Sequence, residues 1–317
     1  MAKGKDIIIN GHTIKPGQFM EATLNTYRLP TRTFIEIPVH VFRSKNKGPV
    51  LLLSAGMHGD ETNGIEIIRR LIRGNYFQHL LCGSVVAIPI INIVSFLNSS
   101  RDLPDGRDLN RCFPGSAAGS LGSRMAYDLM KTILPQIDIG VDFHTGGAKI
   151  NNYPQIRCTF EDKKSLDMAK QFGPPFILNS PYREKTFRHE AAKKKKPILV
   201  YEAGESLRFN ALAIKEGMNG CLRLMNKLGM LETEIPDAET RTLKGTKWVR
   251  AKISGLFITE KKYGGFVEKN EVIGTISDPY GDTEIPLIAP GDGYIIGINN
   301  KPVVNEGDAI MHIGTLS

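Results

Sequence analysis

The sequence predicts an α/β fold, a mixed central sheet flanked by helices on both faces, followed by a small all-β domain of barrel-sandwich-like texture. Three observations carry that prediction. Strand-like apolar runs alternate with helical patterns up to Met230; several of those runs are unbroken hydrocarbon, as in strands buried on both faces; and helical periodicity stops after Met230.

Residues 7 to 45 alternate as strands do, most clearly in "FIEIPVHVF" (Phe34 to Phe42), and "GPVLLLSAG" follows as a continuous apolar run. "NGIEIIRRLIRGN", from Asn63, sets Ile65, Ile68, Leu71 and Ile72 on one helical stripe and closes on Gly74. The alternation continues with "SVVAIPIINI" (strand), "LGSRMAYDLMKTIL" (helix), "IDIGVDF" (strand), "KKSLDMAKQFG" (helix), "PILVYEAGE" (strand) and "FNALAIKEGMNGCLRLMNKLGML" (long helix). Ligands of such sheets sit beyond the carboxyl ends of the strands. The polar stretch "ETEIPDAETRTLKGTKW" then marks a boundary near residue 236, dividing a first domain of 1–235 from a second of 236–317. In the second, "APGDGYIIGI" and "NEGDAIMHIG" read as two similar hairpin-forming segments, and Trp248 is expected to pack at the boundary.

Composition narrows the function class. No apolar run approaches the roughly 20 residues that span a bilayer, and the only apolar run near the amino terminus, Ile7 to Ile9, is far shorter than the ~7–15 residues of a signal-peptide core. The expectation is a cytoplasmic protein with no membrane partner. Cys82, Cys112, Cys158 and Cys221 lie far apart without CxxC spacing, which argues against a disulfide framework or a cysteine zinc knuckle. The net charge of +8 raises nucleic acid as a partner, but it is spread along the chain with no aromatic-basic module, and an anionic small molecule fits it equally well; no nucleic-acid partner is expected.

The chemistry gathers at strand ends. In "GMHGDE", His58 and Glu61 follow a buried strand, and in "VDFHTGG" a second such strand ends on His144. Two histidines and a glutamate form the three-ligand set of a catalytic zinc site with its fourth position open. Asp142 shares a pleat face with His144 and can serve behind it as an outer carboxylate. A third strand ends in "VYEAGE", where Glu202 is the candidate general base and Glu205 its rival. The loop "NSSRDLPDGRDLNRCFPG" carries Arg101, Arg107 and Arg111, the residue type that grips carboxylates through paired hydrogen bonds and steadies an oxyanion.

"GMHGDETNG", "DLNRCFPG", "DFHTG" and "YEAGE", in that order, resemble the succinylglutamate desuccinylase/aspartoacylase family, relatives of the zinc carboxypeptidases, over roughly residues 48 to 230. The resemblance implies that His58, Glu61 and His144 hold one Zn2+ ion per chain and that Glu202 is the general base or proton shuttle. It further implies that Asn110 and Arg111 hold the substrate carboxylate, that Arg101, with Arg107 as the alternative, supports the oxyanion, and that Arg188 contacts substrate. The second domain resembles the biotinyl/lipoyl-type module, but its hairpin tip "DPYGDTE" has no lysine to modify, which leaves it as a lid, an interface or the contact of a homo-oligomer. The expected activity is zinc-dependent hydrolysis of the amide of an N-acyl amino acid or a related small carboxylate. Its alternatives are a metallocarboxypeptidase acting on peptides and a non-catalytic binding protein of the same fold.

Overall fold

A computed structural model of the chain describes residues 6–28, 31–147 and 149–316. The basic positions Lys3 and Lys5 of the amino-terminal segment lie outside the described residues. No helix among those described is long and apolar enough to cross a membrane.

The chain opens with a hairpin of β1 (Ile7–Ile9) and β2 (His12–Ile14), then a long antiparallel pair, β3 (Phe19–Arg28) and β4 (Phe34–Arg43). There follow β5 (Val50–Ser54), α1 (Asn63–Arg73), β6 (Ser84–Ile88), α2 (Ile93–Leu97), α3 (Leu121–Asp128) and β7 (Ile139–Gly146). Next come β8 (Ile150–Cys158), α4 (Lys163–Phe172), β9 (Phe176–Asn179), α5 (Phe187–Lys193), β10 (Ile198–Glu205) and α6 (Ala211–Lys227). The remainder is all strand: β11 (Arg241–Leu243), β12 (Gly245–Arg250), β13 (Gly255–Ile258), β14 (Phe266–Val267), β15 (Val272–Ser277), β16 (Glu284–Ile288), β17 (Gly293–Asn299), β18 (Val303–Val304) and β19 (Ala309–Thr315).

The centre of the sheet is parallel, in the order β6, β5, β7, β10, and antiparallel strands extend it on both sides. Both faces are covered, which explains the unbroken hydrocarbon of β5: Leu51 and Leu53 enter the cluster beneath α1, α4 and α6, while Leu52 enters the one beneath α3 and α5. The buried stripe of α1 differs from the expected one. Ile67, Ile68 and Leu71 are fully buried, whereas Ile65 and Ile72 are only partly so. Glycines set this rotation, because Gly64 lies against Phe143 and Gly217 of α6 admits the Ile67 side chain; a Cβ at either glycine would come within 2.4 Å of those neighbours. Each of the three buried side chains contributes roughly 1.5–3 kcal/mol by leaving water.

The strand expected over 84–93 stops at Ile88, where Pro89 withdraws a backbone donor. The expected helix from Leu121 is α3 continued by a π turn over Leu129–Ile133. β8, β9 and α5 have no counterpart in the periodicity.

The sheet continues across residue 236. β17 pairs with the first residues of β8, β9 pairs with its last ones, and β11 extends β9. β19 and β12 then follow β17, so among the described residues the central sheet has 13 strands drawn from both sides of residue 236. A separate four-stranded sheet of β16, β15, β13 and β18 closes over a third hydrophobic cluster. "DPYGDTE" is the turn between β15 and β16, with the Asp278 carboxylate accepting from the Tyr280 and Gly281 amides.

Candidate active site

Three adjacent parallel strands deliver the polar groups, because their carboxyl ends lie side by side: Ser54 of β5 is level with Asp142 of β7, and His144 of β7 with Glu202 of β10. Beyond Ser54 the chain turns sharply around Gly59. Its Cα lies so close to the Ser95–Phe96 peptide that a Cβ would overlap it at about 2 Å, and its amide donates to the Ser100 carbonyl. This pins the loop that presents His58 and Glu61. At β10 the register slips after Glu202, and Gly204, at φ 78°, packs against Asn63; the resulting bulge re-aims the strand end.

His58, Glu61 and His144 are buried, and their donor atoms all lie within 4.8 Å of one another. The Nδ1 atoms of His58 and His144 face opposite oxygens of the Glu61 carboxylate, at 2.8 and 2.9 Å. Each imidazole is fixed from behind, His58 Nε2 by Asp108 at 2.9 Å and His144 Nε2 by Asp142 at 2.9 Å, and Asp142 also accepts from the Ser54 hydroxyl. Burial opposes charge on all three residues, yet their mutual attraction outweighs it. Glu61 is held well below the usual carboxylate range by the two imidazoles, and His58 and His144 are raised by the carboxylates around them. Two imidazole nitrogens and a carboxylate, each ring backed by a second carboxylate, fit a divalent cation. These residues could hold a metal ion.

Around this group lies a cavity of about 420 Å3, lined by Arg101, Asn110, Arg111, Arg157, Glu202 and Trp248 among others. Arg101 donates to Glu61 and to Asp108, both at 3.0 Å. Arg107 instead bonds the Ser120 hydroxyl in a neighbouring recess. Of the two arginines considered for the oxyanion, Arg101 therefore reaches the cavity. Asn110 is anchored by accepting the Phe187 amide, and Arg111 folds back on the Asn110 carbonyl while remaining on the wall. Glu202 lines the cavity, its two oxygens held by the Asn152 amide at 3.0 Å and by Arg157 at 3.2 Å. Its rival, Glu205, points away and accepts from Asn300.

Arg188 is not brought to the cavity. Its guanidinium is buried over the Tyr182 ring and bonds the carbonyls of Arg157, Ser180 and Pro181, bracing β8 from behind. The arginine that does approach Glu202 is Arg157, on the strand that periodicity misses. Asp108 and Asn152 are further support or wall residues without an assignment in the sequence, and Trp248, expected only to pack at the boundary, lines the cavity. A signal existed only for Asp108, which directly precedes the "LNR" already singled out.

Residues 47–228 match the succinylglutamate desuccinylase/aspartoacylase catalytic domain as a family. The N-alpha-acetyl-L-2,4-diaminobutyric acid deacetylase of Halomonas elongata is 28% identical over 299 residues, covering 88% of this chain and 85% of that protein. A succinylglutamate desuccinylase/aspartoacylase structure from Rhodobacter sphaeroides superposes with a TM-score of 0.83 at 28% identity, covering 95% of both chains. The product-bound ectoine utilization protein EutE (DoeB) of Ruegeria pomeroyi, at 23% identity, shares the fold with a TM-score of 0.81 over 94% of each chain.

Proposed function

We propose that this chain, which belongs to the succinylglutamate desuccinylase/aspartoacylase family, hydrolyses the amide bond of a small N-acyl amino acid with one zinc ion held by His58, Glu61 and His144. The observation that carries the reading is the convergence of that ligand set and Glu202 on one cavity whose wall also bears three arginines. Bound there, zinc would polarise the amide carbonyl and acidify water.

The protein's own groups supply the rest. Glu202, oriented by Asn152 and Arg157, takes a proton from the attacking water and returns it to the departing amine nitrogen. Arg101 donates to the carbonyl oxygen as it gains negative charge. Asn110 and Arg111 hold the carboxylate of the amino acid, and Arg101, Arg111 and Arg157 against Glu61 and Glu202 leave the wall with an excess of positive charge for an anionic substrate. A volume of about 420 Å3 suits a small molecule. The diaminobutyric acid deacetylase similarity makes N-acetyl amino acids the first substrates to try.

The test is a hydrolysis assay on N-acetyl amino acids, N-succinyl amino acids and short peptides, with metal analysis of the same preparation. Release of free amino acid from the acylated compounds, with about one zinc per chain, is the expected result. Turnover of peptides alone would replace the proposal with a carboxypeptidase, and turnover without metal would overturn the mechanism.

A further inference from the structure

Beyond β10 and β8 the sheet continues into the carboxyl-terminal strands, and among the described residues these contribute Trp248 of β12 to the cavity lining. Asn152 of β8, Gly297 of β17, His312 of β19 and Trp248 of β12 stand directly opposite one another in succession, and opposed residues project from the same face of a sheet. Asn152 is the residue that holds Glu202. Gly297 interrupts the row: a Cβ there would come 2.9 Å from the Asn152 side-chain oxygen and 3.4 Å from the His312 Cβ, so the glycine lets those two side chains close over it. In that pair the Trp248 indole lies flat on the His312 imidazole, with centroids 4.2 Å apart and planes 4° from parallel. His312 is buried, and burial together with Arg157 pushes its pKa down to about 3, so the plate behind the indole is uncharged. Trp248 itself is 37% exposed and lines the cavity.

We propose that Trp248 is a specificity-determining residue, a fixed aromatic wall that limits the length of the acyl chain. The proposal rests on the N-acyl amino acid reading and on strand order. Asn110 and Arg111 reach the site from the loop that follows β6 and α2, whereas Trp248 arrives from the opposite edge, beyond β10, β8, β17 and β19. An amide whose carboxylate is gripped on the first side and whose carbonyl lies at His58, Glu61 and His144 directs its acyl chain toward the second. The stack on His312 immobilises the indole, so the wall cannot yield to a longer chain. A methylene accommodated or refused by such a pocket changes kcat/KM by roughly 10–200-fold.

The experiment compares N-acetyl, N-propionyl and N-butyryl derivatives of one amino acid with the zinc-loaded wild type, Trp248→Ala and Trp248→Phe, alongside a set of N-acetyl amino acids of differing side chain. The expected result is a steep fall with acyl length in the wild type. Trp248→Ala should raise the butyryl-to-acetyl ratio about tenfold or more, and Trp248→Phe should lie between. A folded Trp248→Ala protein with the wild-type ratio, or one whose altered discrimination follows the amino-acid side chain instead, would overturn the proposal.

A second measurement needs no stable Trp248 variant, because Trp248 is the sole tryptophan of the chain. Its emission, read in Glu202→Gln protein, should shift saturably as each N-acyl amino acid is added. Hydrolysis by the wild type without any shift overturns the wall and leaves the activity standing. A shift without hydrolysis supports the wall and overturns the activity, and neither response overturns both.

Discussion

Glu61 and Glu202 line the same cavity, yet they are surrounded differently. Glu61 is shut from solvent, with an imidazole on each oxygen, Arg101 at 3.0 Å and the Thr145 amide at 3.2 Å. Glu202 keeps 14% of its side-chain surface open and is steadied by one amide and one guanidinium. A carboxylate enclosed by cationic partners is fixed in its charged form and suits a permanent counter-charge. One at the edge of a cavity, oriented but reachable, suits the exchange of protons with what enters. Burial and partners thus place two chemically equivalent groups in different environments.

Substitutions that strip one environment and spare the other break the comparison most directly. The largest effect is expected for His144→Ala, which should lose nearly all bound zinc in metal analysis and with it all measurable turnover; a variant retaining full metal occupancy would contradict the ligand set. Glu202→Gln should leave metal content at the wild-type level and lower kcat by about 10²–10⁴-fold. If Glu205→Gln were the inactive protein instead, Glu202 would have to give up its role. Asp142→Asn, which removes the carboxylate behind His144 and leaves an amide oxygen for the Ser54 hydroxyl, should weaken zinc affinity or activity by about 10–100-fold, read by competition with a chromogenic chelator.

The smallest expected effect lies outside the ligand set. His312 has its pKa pushed down to about 3, below the 6.5 of an unhindered imidazole, so the unfolded chain binds more protons between those values. Its contribution to stability is present above pH ~6.5 and lost as pH falls toward 3. Denaturant midpoints of wild type and His312→Phe, measured at pH 7 and pH 4.5, should therefore diverge, the wild type losing more on acidification. Equal losses would mean that His312 is not kept neutral by its surroundings.

Much of the sheet that carries the candidate site was legible because β5, β7 and β10 are hydrophobic on both faces and end abruptly in polar residues. β8 was not, since Asn151, Asn152, Pro154, Gln155 and Arg157 give it the composition of a loop. Asn152 and Arg157 face the cavity and bond Glu202, and Gln155 donates to the Ile296 carbonyl, so their place in the strand depends on partners that periodicity does not show. Arg188 and Arg157 show the limit of linear distance as a guide. Arg188 is nearer to Glu202 in sequence, but a strand paired antiparallel to β10 brings Arg157 beside it in space. Trp248 was legible only as a boundary residue, because its place at the cavity depends on how β12 and β19 fall into register with a strand nearly a hundred residues earlier.

The shared pairing of β8 has a consequence for any attempt to cut the protein at its change of texture. Ending the chain near residue 236 would leave the Ile150–Asn152 backbone without β17, and with it a row of unmatched amides and carbonyls beside Glu202. Such an exposed edge recruits strands from other molecules. The isolated amino-terminal part should therefore self-associate through the lip of its own candidate site.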